Sequence, residues 1–276
     1  MSELTISQLS IYPIKSAKGV DLEQFSLSNT GPEFDRCWMV IDNNGKFVTQ
    51  RKHPRMCLIE TRLTTDSLCL NAPNMPELLI PLEHSQSQYK DPQALLTSTV
   101  WGSEVKGYDC GKSAAQWLSD FLKLSCRLIA MPEESQRKVD TDYAKHGELV
   151  AYADGFPLLI VSQASLDNFN SKLDSPISME RFRPNIVISG CEAYAEDSWK
   201  VIRIGDIEIS LVKPCSRCII PSIDPQTAQK QMQVNDALIK YRRNERKTYF
   251  GQNAIHHKFG QLSIGDKVSV VQGSLF

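Results

Sequence analysis

Short strands bounded by tight turns limit what this chain can become. Asn44-Gly45, Thr65-Asp66, Gly102-Ser103, Gly205-Asp206 and Gly265-Asp266 each interrupt strand-like, apolar-rich runs. Gly, Asn and Asp tolerate the positive φ that tight hairpin turns demand, and apolar/polar alternation turns one face of a strand inward. The opening run LTISQLSIYPI alternates in the same way. Strands at such spacing suggest a barrel or a sandwich.

Helical periodicity is confined to a few places. SAAQWLSDFLKLS puts Trp117, Leu118, Phe121 and Leu122 on one face, with Ser113 as the expected N-cap. FPLLIVSQASLDNFNSKL reads as a strand entering a helix capped by Ser162, with Leu166, Phe169 and Leu173 inward. DALIKYRR is a short helix, while CRLIAMP and NIVISG return to strand. Residues 132–155 are polar and read as a long loop, a length often tied to function. The expected class is therefore mainly β with a few helices (α+β). The change of period near residue 125 divides the 276 residues into a β-rich domain over 1–125 and a second domain over 126–276.

A formal net charge of −1 gives no global attraction to nucleic acid or to a membrane surface. No apolar run is long enough for a membrane span, and the N-terminus lacks the basic start of a signal peptide. A cytoplasmic location is expected, with the eight cysteines mostly reduced. Cys37, Cys57, Cys69, Cys110 and Cys126 read as small buried hydrophobes.

The segment KPCSRCIIPSID, residues 213–224, needs another reading. A structural zinc site wants four ligands, and the chain has one such cysteine pair plus the adjacent His256 and His257, which an extended strand points apart. A redox dithiol wants a helix after the pair, and Pro221 and Pro225 argue against one. A single metal-binding thiolate remains, with Lys213 and Arg217 favouring charge on sulfur. Two reduced structural cysteines near surface bases stay open as the alternative. Lys15, Ser16 and Lys18, then Arg36, then Arg181, Arg183 and Asn185, all fall at expected strand ends. Arginine forks match phosphate geometry, so these clusters suit an anionic cofactor.

Taken together, YPIKSAKGV, FRPNIVISG, EDSWKVIRIGD and KPCSRCIIPSIDP resemble the MOSC-domain molybdoenzymes with an N-terminal MOSC-associated β-domain, the family of the amidoxime-reducing components. The resemblance runs from Tyr12 to about Val270. It implies a MOSC-type β-barrel domain packed with an N-terminal β-rich domain. It implies a molybdenum cofactor, Mo-molybdopterin, held by one protein thiolate. Cys218 matches that ligand and Cys215 a bystander. Ser216 and Arg217 match contacts to the pterin or its phosphate. Lys15, Ser16 and Arg36 match contacts from the first domain, and Arg183 and Asn185 contacts from the second. Asp154 matches an acidic residue near the metal, either a catalytic proton relay or a structural carboxylate. Gly251, Gln252 and Asn253 match a segment lining the site, although Gly155 and Asn253 replace bulkier side chains of mitochondrial relatives. The implied reaction is reduction of small N-hydroxylated substrates: amidoximes, N-hydroxylated bases and hydroxylamines. Neither a ferredoxin extension nor an iron–sulfur cluster is expected in this chain. Electrons are expected from a separate donor of ferredoxin, cytochrome b5 or flavin-reductase type. A sulfur carrier using a Cys218 persulfide, or a non-catalytic cofactor-delivery protein, are the alternatives.

Overall fold

The computed structural model describes residues 3–82, 95–144 and 146–273. Nineteen strands and three α-helices are present among them, so the chain is mainly β as its turns require. The largest sheet has nine strands. Its path runs Val268–Gly273, Trp199–Ile204, Ile207–Arg217, Lys247–His256, Leu158–Ser162, Ile186–Ser189, Thr5–Ile11, Val20–Leu22, with Arg243–Asn244 added beside Lys247–His256. Leu158–Ser162 and Ile186–Ser189 pair in parallel, and the Gln163–Asn170 helix follows the first of them. Ser162 caps that helix by accepting the Ser165 amide at 3.1 Å, as expected.

A four-stranded sheet orders Trp38–Asp42, Cys126–Ala130, Ser103–Asp109 and Leu95–Val100. The Lys112–Leu122 helix closes its core with Trp117, Leu118, Phe121 and Leu122 against Ile14, Val40 and Leu128. Ser113 does not cap this helix. Gly111 takes the N-cap at φ 90, a conformation a serine would resist, and the helix begins two residues earlier than the serine signal suggests. Two three-stranded sheets complete the described fold.

Strand pairing crosses residue 125 in both directions. Thr5–Ile11 pairs with Ile186–Ser189 and Gln24–Ser28 with Gly260–Ser263, while Cys126–Ala130 pairs with Trp38–Asp42. The first thirty or so residues thus lie in sheets with the C-terminal half, which brings the end of the first strand beside residues 183–185.

The hairpins at Thr65-Asp66 and Gly205-Asp206 form as read. The third turns one residue early, at Trp101-Gly102, with φ of 50 and 89. At Asn44-Gly45 the return arm makes isolated bridges, Ile41 to Phe47 and Lys46 to Thr99, rather than a regular strand. The two arms around Gly265-Asp266 join different sheets. Residues 132–155 carry no regular helix or strand among those described, residue 145 lying outside them. Cys57, Cys69, Cys110 and Cys126 are buried, and Cys37 is half-buried.

Candidate functional site

The Ile207–Arg217 strand carries the cysteine motif out of the core. Ile207, Ile209 and Leu211 are buried at alternate positions, and the alternation then stops. Register shifts against Lys247–His256 fall between Leu211 and Lys213 and between Pro214 and Ser216. Such bulges re-aim the side chains that follow. Ile220–Ser222 then forms a single 3-10 turn around Pro221, so no α-helix follows the cysteine pair.

Beside this strand lies one cleft, lined by Lys15, Ser16, Arg36, Asp154, Arg183, Asn185, Ser216, Arg217, Cys218 and Asn253. The structure therefore gathers these ten of the site residues expected from the sequence around one space. The space inside it is about 150 Å3 and opens at its mouth to solvent. Of the finer expectations, two do not hold. Gly251 and Gln252 do not line the cleft: a Cβ on Gly251 would sit 2.5 Å from Val161 Cγ2, and Gln252 is buried on Asp197 at 2.8 Å. Lys213 instead places its ammonium 4.3 Å from the Tyr143 ring centre.

Backbone strain concentrates here. Ser16, Arg36, Arg183 and Trp101 all line the cleft with positive φ, at 71, 51, 56 and 50. Non-glycine residues adopt this region at a cost of about 1–3 kcal/mol each, and such strain gathers at functional sites.

A buried brace fixes the cations. Asp35 accepts the Tyr12 amide at 2.9 Å, the Asn185 amide group at 3.1 Å and the Arg36 guanidinium at 2.6 Å. Asn185 also donates to Ser10 O and accepts from the Leu159 amide, so its polar atoms are engaged by protein. The Arg36 and Arg183 guanidinium carbons lie 4.2 and 4.1 Å from the centre of the Tyr12 ring. Burial, then the neighbouring Arg36 charge, push Arg183 down to about 10. Arg183 donates to Ala17 O at 2.6 Å, and Arg217 to Phe250 O and Phe182 O, both at 2.9 Å. One Nη2 on each of Arg183 and Arg217 is nevertheless buried without a partner. Buried guanidinium donors left unpaired are costly. Their presence beside Lys15 and Arg36 describes a cradle for an anion with several acceptor oxygens.

Asp154 organises the opposite wall. It accepts from the buried Lys15 ammonium and from Trp101 Nε1 at 2.9 Å. Its side chain faces the open cleft, yet protein crowds it on most sides. That crowding would raise its carboxyl; Lys15, the Trp101 hydrogen bond and Arg36 outweigh it and hold the group well below the usual carboxylate range. Asp154 is thus a fixed anion near neutral pH. Lys15 is displaced in the same direction for a different reason: burial lowers its pKa, and the Asp154 charge opposes that. Arg137 staples the adjoining backbone through Ala151 O, Ala153 O and Asp154 O.

The two cysteines differ as sharply as their surroundings. Cys218 is exposed at the cleft. Cys215 is half-buried, and burial raises its thiol above the ordinary value, with Arg217 opposing. His256 is buried and His257 is exposed, bonded to Ser210 at 2.7 Å, so the adjacent histidines do diverge. Among the described residues no group of three or more His, Cys, Asp or Glu could hold a metal by itself. One thiolate beside an anion cradle instead fits a metal that arrives with its own organic ligand.

Sequence reasoning missed Arg51 and Trp101. Arg51 lies 4.9 Å over the Trp101 ring, and its Nε is buried without a partner. A tryptophan placed in a turn was a legible signal for exposure; nothing local marked Arg51.

The MOSC N-terminal beta barrel domain family matches residues 3–125, and the MOSC domain family matches residues 147–269. Mitochondrial amidoxime-reducing component 1 of Mus musculus is 38% identical over 96% of this chain and 81% of its own length. Mitochondrial amidoxime reducing component 2 of Homo sapiens is 36% identical over 96% of this chain and 82% of its own. The crystal structure of the YuaD protein from Bacillus subtilis covers 97% of each chain at 13% identity, with a TM-score of 0.44.

Proposed function

The chain belongs to the MOSC-domain family, with the amidoxime-reducing components among its relatives, and from that premise we propose that it is a molybdenum-cofactor-dependent reductase of small N-hydroxylated compounds. The observation that carries this reading is the convergence of Cys218 on one cleft with Arg183 and Arg217, each of which carries a buried guanidinium nitrogen without a partner. Those residues suit a phosphorylated pterin and a soft metal. When bound, the cofactor supplies a two-electron reduction of the N–O bond.

The remaining work falls to the chain. Cys218 presents the thiolate ligand. Arg183, Arg217, Arg36, Lys15 and Ser16 hold the anionic portion, and Asn185 braces the strand ends through its own hydrogen bonds. Asn253 and Gly155, the latter without a side chain, complete the wall. The departing oxygen must leave as water. Asp154 is held ionised, so it orients Lys15, and the proton sits on Lys15 Nζ. The electrons come from a separate protein, and a cytoplasmic location is part of the same proposal.

The test is molybdenum and pterin content, measured with benzamidoxime reduction by reduced methyl viologen on one preparation. Wild type should carry metal and turn over, and Cys218→Ala should do neither. Equal molybdenum in both would sink the assignment. Persulfide on Cys218 without any turnover would favour a sulfur carrier.

A further inference from the structure

Ser216, Arg217 and Cys218 are shared by two clefts. The second, more open one takes its other walls from the Met232–Arg242 helix, through Asn235 and Ile239, and from the following hairpin, through Arg243, Arg246 and Lys247. Those three bases are exposed. Among the described residues, no ion pair ties any of them to a carboxylate. Arg243 donates to a backbone carbonyl, that of Glu245. Arg242, next along the chain, is by contrast neutralised by Asp197 at 2.5 Å. Ile239, 41% exposed on the same helix, lines the cleft as well, so an apolar contact lies among unneutralised bases. For a chain of net charge −1 this is a local departure.

The proposed chemistry says what such a surface could serve. Reducing a hydroxylamine, R–NH–OH + 2 e− + 2 H+ → R–NH2 + H2O, consumes an electron pair at every turnover. Among the described residues no group of three or more His, Cys, Asp or Glu could hold a metal or cluster to store one. The pair must enter from outside, close to the thiolate that holds the metal. Cys218 is exposed and lines both clefts, so a body seated on the second stands one backbone segment from the first. Electron-transfer encounters bury little area and rely on complementary charge around a small apolar contact.

The geometry points to this second cleft as the docking surface for an acidic electron-carrier protein, which sets its carboxylates on Arg243, Arg246 and Lys247 and an apolar side chain on Ile239. The inference rests on the reductase reading, because that reading creates the demand for electrons. Substrate then enters through the mouth of the first cleft while electrons arrive through the second.

The experiment uses the holoenzyme, benzamidoxime and two reductants: a reduced plant-type [2Fe–2S] ferredoxin, which is acidic, and reduced methyl viologen. With ferredoxin, kcat/KM for the carrier should fall about tenfold between 50 and 500 mM NaCl, and about tenfold in Arg246→Glu/Lys247→Glu at low salt. Glu245→Lys should raise it. Viologen-supported rates should stay within about twofold throughout, because a small reductant needs no docked partner. Lys200→Glu, a charge reversal at an exposed strand position that lines neither cleft, should leave both rates alone. Ferredoxin turnover that ignores salt and these charges, or that Lys200→Glu reduces equally, overturns the surface and leaves the reductase standing. So does a ferredoxin that neither binds nor supports turnover, whether or not the cleft takes up an oligonucleotide instead. If neither reductant supports turnover, the reductase reading falls, and ferredoxin titrated by NMR onto wild type and the double variant still reports on the surface. Binding lost in the variant keeps the surface; equal binding removes it.

Discussion

Two groups of cations meet at Ser216–Cys218, and they are built in opposite ways. Lys15, Arg36, Arg183 and Arg217 stand mostly out of solvent, on strained backbone or at strand ends, each held by named hydrogen bonds. Arg243, Arg246 and Lys247 stand in water on a hairpin, without carboxylate partners among the described residues. The first arrangement fixes donors in place and suits a ligand that stays. The second keeps its charges hydrated and mobile, and suits a partner that comes and goes. The same residue types thus carry different meanings, and burial decides between them.

The sharpest way to break the comparison is at the cysteines on the border. Cys218→Ala should abolish molybdenum-dependent turnover, whereas Cys215→Ala should retain much of it, measured as rate per protein with reduced viologen. Equal loss from both would mean the pair acts together, and the asymmetry described here would be wrong. Next comes the cradle. Arg217→Lys keeps the charge but loses the fork that reaches Phe250 O and Phe182 O while leaving a third nitrogen free. A charge-assisted hydrogen bond contributes about 1.5–3 kcal/mol, so cofactor retention should weaken by roughly 10- to 100-fold on dialysis, read as residual molybdenum. Retention equal to wild type would place the anion elsewhere.

How much of this was legible in advance depends on whether the signal was local. The turns at Thr65-Asp66 and Gly205-Asp206 and the Ser162 cap are local chemistry, and they fold as read. Ser113 misled because Gly111 could begin the helix without a side-chain bond. The strand crossings at residue 125 were invisible, since register between distant segments leaves no mark on either one. The site residues were found through their resemblance to a family and through basic residues at strand ends. Their convergence could not be read from spacing, and neither could the left-handed backbone of Ser16, Arg36 and Arg183. Arg51 was missed for the same reason: it reaches the cleft by stacking on Trp101, from a different strand connection.

A smaller effect separates the two walls of the cleft. The Asp154 carboxyl is depressed in the folded protein by Lys15, Trp101 and Arg36. A depressed acid stabilises the fold fully above its unfolded pKa, about 3.9, and that contribution is lost progressively as pH falls from there through the lower folded value. Wild type should therefore be more stable than Asp154→Asn near neutral pH, and the gap in Tm should begin to narrow below about pH 4 and keep narrowing as the pH falls further. A gap that stayed constant with pH would mean that the carboxylate charge contributes nothing and that only its shape matters.

The smallest expected effect falls on the exposed cations. Surface substitutions away from caps, cores and buried pairs usually change stability by within about 0.5 kcal/mol. Arg246→Gln and Lys247→Gln should each stay inside that range in urea unfolding, because neither side chain is anchored by an ion pair among the described residues. Arg217→Gln should exceed it, because it strips two hydrogen bonds from half-buried carbonyls and moves the ring contact with Phe182. If Arg246→Gln cost as much as Arg217→Gln, the hairpin cations would be structural, and the distinction between a cradle and a docking surface would rest on position alone.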